Sequence, residues 1–68
     1  MQNNFSPQRI KALRLAMEVT QEQLANLLGV TFSTVNRWEA GKTTPHLTTR
    51  RLLGNLEKKY RAKLAEVQ

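Results

Sequence analysis

The sequence predicts a compact all-α fold of four or five helices. Three observations carry that expectation. Apolar residues recur at intervals of three to four along most of the chain, the spacing of one helical face. Capping residues precede the first three apolar runs: Ser6 before Pro7, Thr20 before Gln21-Glu22-Gln23, and Thr31 before Phe32. Gly29 and Gly41 stand where two of the runs stop, and no segment shows the two-residue alternation of a half-buried strand.

The first helix is expected over 7–17. Ser6 supplies a cap, and proline at the first helical position sacrifices no useful N–H. Ile10, Leu13 and Met17 then share a face, with Arg9, Lys11 and Glu18 left for water. A second helix is expected over 21–28. Thr20 and Gln23 have capping-box spacing, in which each side chain serves the other's backbone N–H. Leu24, Ala25, Leu27 and Leu28 make its apolar face, and Gly29 takes the left-handed stop. A third helix is expected over 32–39, capped by Thr31, with Val35 and Trp38 on its buried side and Gly41 closing it. Lys42-Thr43-Thr44-Pro45 cannot continue a helix and reads as a loop. The remainder predicts one helix over 48–66, with Leu52, Leu53, Leu56, Tyr60, Leu64 and Val67 as its stripe. Gly54 lies inside that stripe, where it costs about 1 kcal/mol relative to alanine, and a break there into two helices is the alternative. Residues 6–66 form one domain on this reading.

Composition narrows the function. A chain of 68 residues allows one domain with a small core and no deep substrate cleft. With no cysteine, disulfides, thiolate metal sites and cysteine nucleophiles are all out of reach. The five acidic residues are all glutamate and are scattered, and His46, beside Pro45, is the single histidine. Neither a Ser-His-Asp arrangement nor a clustered-carboxylate metal site can be assembled from these residues. No enzyme activity, metal or other cofactor is therefore expected. The start, Met1-Gln2-Asn3-Asn4, lacks the charged-then-apolar pattern of a signal peptide, and no apolar run is long enough to span a membrane. A cytoplasmic, nucleoid-associated location is expected. Eleven basic residues against five acidic ones give a formal net charge of +6, which favours a polyanionic partner.

The informative constellation joins the second and third helices. Ala25 is small where two helices must approach closely, Gly29 makes the turn, and Val30, Val35 and Trp38 fill the space between them. Many helical hairpins contain a turn glycine; few combine it with that alanine and those later apolar positions. Gln21 to Gly41, QEQLANLLGVTFSTVNRWEAG, resembles the helix-turn-helix of the lambda-repressor-like (Cro/repressor, Xre-type) family. Arg14 before the motif, and Glu39-Ala40-Gly41-Lys42 with Pro45 after it, match the family's flanking pattern. The resemblance covers roughly Ser6 to Leu53, and the basic end after Gly54 lies outside it. It implies a DNA-binding regulator, most often a repressor.

The residues point the same way. With Val35 and Trp38 inward, Phe32, Ser33, Asn36, Arg37 and Ala40 fall on the outer face of the third helix. Arg37 suits guanine and Asn36 suits adenine, each by two hydrogen bonds, while Phe32 or Ser33 can meet a thymine methyl. Phe32, Ser33, Asn36 and Arg37 are the candidate base contacts. Gln21 sits at a helix start, where free N–H groups favour an anion, and the resemblance implies that it bonds a phosphate. Lys42, Thr43 and Thr44 offer a second phosphate anchor; Arg50 and Arg51 fit either a backbone contact or a solvated face. The resemblance also implies a structural ion pair between Arg14 and Glu39. Breaking such a pair costs about 3–5 kcal/mol when it is fully buried.

Lys58, Lys59, Arg61 and Lys63 interleave with Leu56, Tyr60 and Leu64 near the end of the chain. This pattern fits a helix packed on its own domain or a contact in a homodimer, which two half-sites one DNA turn apart would favour. Double-stranded DNA is the expected partner, and no membrane is. Two other readings compete: an antitoxin-like module that binds a small protein partner, and a DNA-targeting domain of a larger DNA-modifying enzyme, which a reading frame continuing past Gln68 would favour.

Overall fold

Five helices follow one another in the computed structural model, which describes residues 5–67. Met1-Gln2-Asn3-Asn4, read above as no signal peptide, lies outside the described residues, as do Gln68 and the side chain of Val67. Helix α1 spans Pro7–Met17, α2 Gln21–Leu28, α3 Phe32–Glu39, α4 Leu47–Lys59 and α5 Arg61–Val67.

The helix starts are set by side chains one turn away. Ser6 Oγ accepts from the Arg9 N–H at 3.1 Å, ahead of Pro7. Thr20 and Gln23 form the reciprocal box: the Gln23 N–H donates to Thr20 Oγ1 at 3.1 Å, and the Thr20 N–H to Gln23 Oε1 at 2.9 Å. Thr31 Oγ1 accepts from the Thr34 N–H at 3.2 Å. Each cap satisfies an N–H that the helix itself leaves without a partner. α4 departs from this pattern. His46 precedes it without a side-chain cap bond, and Arg50 Nη1 instead donates to the Pro45 carbonyl at 3.0 Å.

The helix ends need left-handed backbone. Gly29 has φ +74°, and the Val30 N–H reaches back to the Ala25 carbonyl at 3.0 Å. Nothing lies within 4 Å of a Cβ built on Gly29, so its backbone angle, not crowding, calls for glycine. Gly41, at φ +79°, closes α3 in the same way, with the Lys42 N–H on the Arg37 carbonyl at 2.9 Å. α1 makes this turn at Glu18, with φ +59°, although the residue has a side chain.

The core is one cluster of Phe5, Ile10, Leu13, Leu24, Ala25, Leu28, Val35, Trp38 and Leu53. Met17, Val19, Val30, Leu56, Tyr60 and Leu64 pack against it. Three expectations change. Leu27, read as part of the α2 apolar face, is 61% exposed, on the rim of a groove it shares with Leu52 and Leu56 of α4. Leu53 is fully buried but Leu52 is exposed, since adjacent residues on a helix point about 100° apart. The last segment is neither one straight helix nor broken at Gly54. It bends at Tyr60, with φ −106° and ψ 24°. The bend lets α5 fold back on α1, which brings Leu64 onto the core; a straight continuation would carry it away. The stripe of Leu56, Tyr60 and Leu64 thus packs on its own domain. An ion pair from Arg9 Nε to Glu57 Oε2 at 2.7 Å ties α1 to α4, with the Arg9 guanidinium 3.9 Å above the Phe5 ring.

Neighbouring substitutions in α4 should therefore have opposite signs. Gly54 is helical with nothing within 4 Å of an added Cβ, so Gly54→Ala should raise stability by about 0.5–1 kcal/mol. Leu53→Ala should lower it by about 2–5 kcal/mol. Urea unfolding followed by circular dichroism checks both; a destabilising Gly54→Ala would mean that the helix does not run through that position.

Candidate nucleic-acid interface

The outer face of α3 follows from what its inner face buries. Val35 is fully buried and Trp38 nearly so, which turns Phe32, Ser33, Asn36 and Arg37 to the surface. Phe32 is 52% exposed. α2 lies across α3, and Ala25, at 1% exposure, occupies the close approach behind the Gly29 turn. Lys42, Thr43 and Thr44 are exposed just beyond α3, on backbone pinned by the cap at Gly41.

α3 is held from behind by charge. Arg14 Nε lies 2.7 Å from Glu39 Oε2, and Arg14 Nη2 donates to Glu39 Oε1 at 3.1 Å, a two-pronged contact. The side chains are only 14% and 8% exposed. Arg14 Nη1 also donates to the Val19 carbonyl at 3.2 Å, so a single guanidinium joins α1, the turn after it and the end of α3. Burial by itself raises the Glu39 carboxyl. The hydrogen bonds from Arg14 and Gln21, with the charges of Arg14 and Lys11, outweigh it and hold the group below the usual glutamate range.

Two residues expected to play separate parts are joined. Gln21 Nε2 donates to Glu39 Oε1 at 3.0 Å, and Asn36 Nδ2 donates to Gln21 Oε1 at 3.1 Å. Arg14, Glu39, Gln21 and Asn36 thus form one hydrogen-bonded chain running outward to the exposed face. The sequence reading missed the links through Gln21, because residues 21, 36 and 39 meet only where α2 crosses α3. Arg37 projects at the surface near Asn36, and no described residue pairs with its guanidinium. Arg50, open to a backbone-contact reading, is engaged with Pro45.

A family model described as helix-turn-helix matches residues 10–55. The chain belongs to that family. The match is of the Cro/repressor, Xre-like type, in which α2 and α3 are the helix-turn-helix, and it carries sequence-specific DNA binding as the activity. No curated protein and no solved structure matches the chain. Among the described residues, no helix is long and apolar enough to cross a membrane.

The ion pair gives a stability prediction with a pH signature. Glu39→Gln keeps the shape but removes the charge, and should cost about 2–3 kcal/mol, lowering the unfolding midpoint by about 10 °C. Because the Glu39 pKa is depressed in the folded helix-turn-helix, its contribution is full above the unfolded value of about 4.3. The contribution fades as pH falls through the lower folded value. Melting curves of parent and Glu39→Gln should therefore draw together as pH falls below that unfolded value. Equal midpoints at pH 7 would show that the pair adds nothing.

Proposed function

We propose that this helix-turn-helix protein is a transcriptional repressor that lays α3 in the major groove and blocks promoter access. In this reading, Phe32, Ser33, Asn36 and Arg37 contact base edges. Arg37 pairs with guanine and Asn36 with adenine, while Phe32 or Ser33 meets a thymine methyl. Gln21 contacts a phosphate from the start of α2. Lys42, Thr43 and Thr44 anchor a second phosphate from the loop after α3, fixing register without reading sequence. The observation that carries the proposal is the exposed, largely polar face of α3, presented by a partly buried ion pair and a hydrogen-bonded partner on α2 rather than left to solvent. The formal net charge of +6 supplies the long-range attraction to phosphate.

A single domain with so few base contacts reads a short site. Two copies on half-sites about one DNA turn apart would read a longer one, and homodimerisation on DNA is part of the same proposal.

Fluorescence-anisotropy titration of upstream and mixed-sequence duplexes at two salt concentrations tests it, with Arg37→Ala beside the parent. The parent should bind a few duplexes tightly and weaken steeply with salt. Arg37→Ala should lose about 1–3 kcal/mol of preference and approach nonspecific affinity. Salt-sensitive binding without preference, indifferent to Arg37→Ala, would mean that charge alone holds the DNA. Footprinting on the preferred duplex should show two half-sites; one half-site with a monomer on gel filtration would remove the dimer.

A further inference from the structure

The four-residue chain behind α3 has a direction, and its first member sets it. Glu39 is a carboxylate facing Arg14, and a carboxylate only accepts hydrogen bonds. Gln21 must therefore turn its amide nitrogen toward Glu39, as it does at 3.0 Å. That leaves the Gln21 carbonyl oxygen beside Asn36, and a carbonyl oxygen also only accepts. Asn36 must turn Nδ2 inward, and it donates at 3.1 Å. What Asn36 has left over is fixed by elimination. Its Oδ1 is an acceptor on an exposed residue, and no described residue donates to it. Nδ2 keeps a second proton.

We infer that Glu39, acting through Gln21, is a specificity-determining positioning residue: it locks the Asn36 amide so that Oδ1 is the group offered to a base. The inference rests on the reading that Asn36 contacts a base. An outward acceptor selects a base edge with an exocyclic amino group, adenine N6 or cytosine N4. The second Nδ2 proton suits adenine N7, so adenine is the favoured partner. With the amide reversed, the outward group would be a donor and would match the acceptors of guanine or thymine instead. An ion pair that merely held α3 in place would not choose between these two sets. Neither Glu39 nor Arg14 needs to touch DNA for this; the carboxylate charge is converted into a donor and acceptor order one residue at a time.

The test uses the parent, Asn36→Ala, Glu39→Gln and Gln21→Met, each at a temperature where circular dichroism shows it folded. Selection from a randomised duplex library first identifies the base pair whose preference Asn36→Ala abolishes. Base analogues then remove the amino group at that pair: purine in place of adenine, or 2-pyrimidinone in place of cytosine. The parent should lose affinity roughly tenfold on removal of the amino group, and Asn36→Ala should be indifferent. In Glu39→Gln the new amide presents either oxygen or nitrogen to Gln21. In Gln21→Met the relay is gone while Arg14 and Glu39 keep their contact. Both variants should lose most of the amino-group effect, whatever happens to their total affinity. An undiminished effect in either variant overturns the role of Glu39 and leaves the base contact standing. A parent indifferent to the amino group overturns the polarity of the lock. If Asn36→Ala changes preference nowhere, the base contact itself fails, and the inference falls with it.

Discussion

Arg14 lies on α1 and Glu39 ends α3, and their contact determines where α3 can sit. A planar guanidinium bonded at two points to a carboxylate tolerates little sliding or rotation. The pair is largely shielded from water, and its third arm holds the Val19 carbonyl between α1 and α2. α3 is only eight residues long, too short to be stable on propensity alone. Its position is over-determined: Val35 and Trp38 bury one face, a glycine turn fixes its entry, and an ion pair fixes its exit. A short helix anchored at both ends holds its outward side chains in a fixed array.

The same economy governs the turns. Gly29 and Gly41 take left-handed backbone for conformational reasons, while Glu18 adopts it against its own steric preference. α1 therefore ends where the packing of Met17 and Val19 against the core requires, without a glycine to mark it. Pro45 is buried and fixes the entry to α4, where the usual side-chain cap is missing and Arg50 supplies a bond from the other direction. The domain's charges divide accordingly. Arg9, Arg14 and Arg50 are committed to internal partners, whereas Arg37 and Lys42 are exposed on and just beyond α3.

How much of this was legible beforehand differs by element. The starts of the first three helices are written in residues one turn from where they act, so Ser6, Thr20 and Thr31 could be read directly. The stops at Gly29 and Gly41 are equally local. The outer face of α3 follows from the spacing of Val35 and Trp38. The Arg14–Glu39 contact was not readable from spacing; it came from the resemblance to a family, because nothing local links two residues so far apart in the chain.

The sequence by itself determined the helical class, the boundaries of the first three helices and the set of side chains on the outer face of α3, because caps, left-handed stops and helical periodicity act over a few residues. Only the tertiary structure decided the bend at Tyr60, the exposure of Leu27 and Leu52, and the union of Gln21, Asn36 and Glu39 in one chain of hydrogen bonds. Each of these depends on where one helix crosses another. That geometry is set by the packing of the whole core around Leu13, Leu24 and Leu53, which no local window contains.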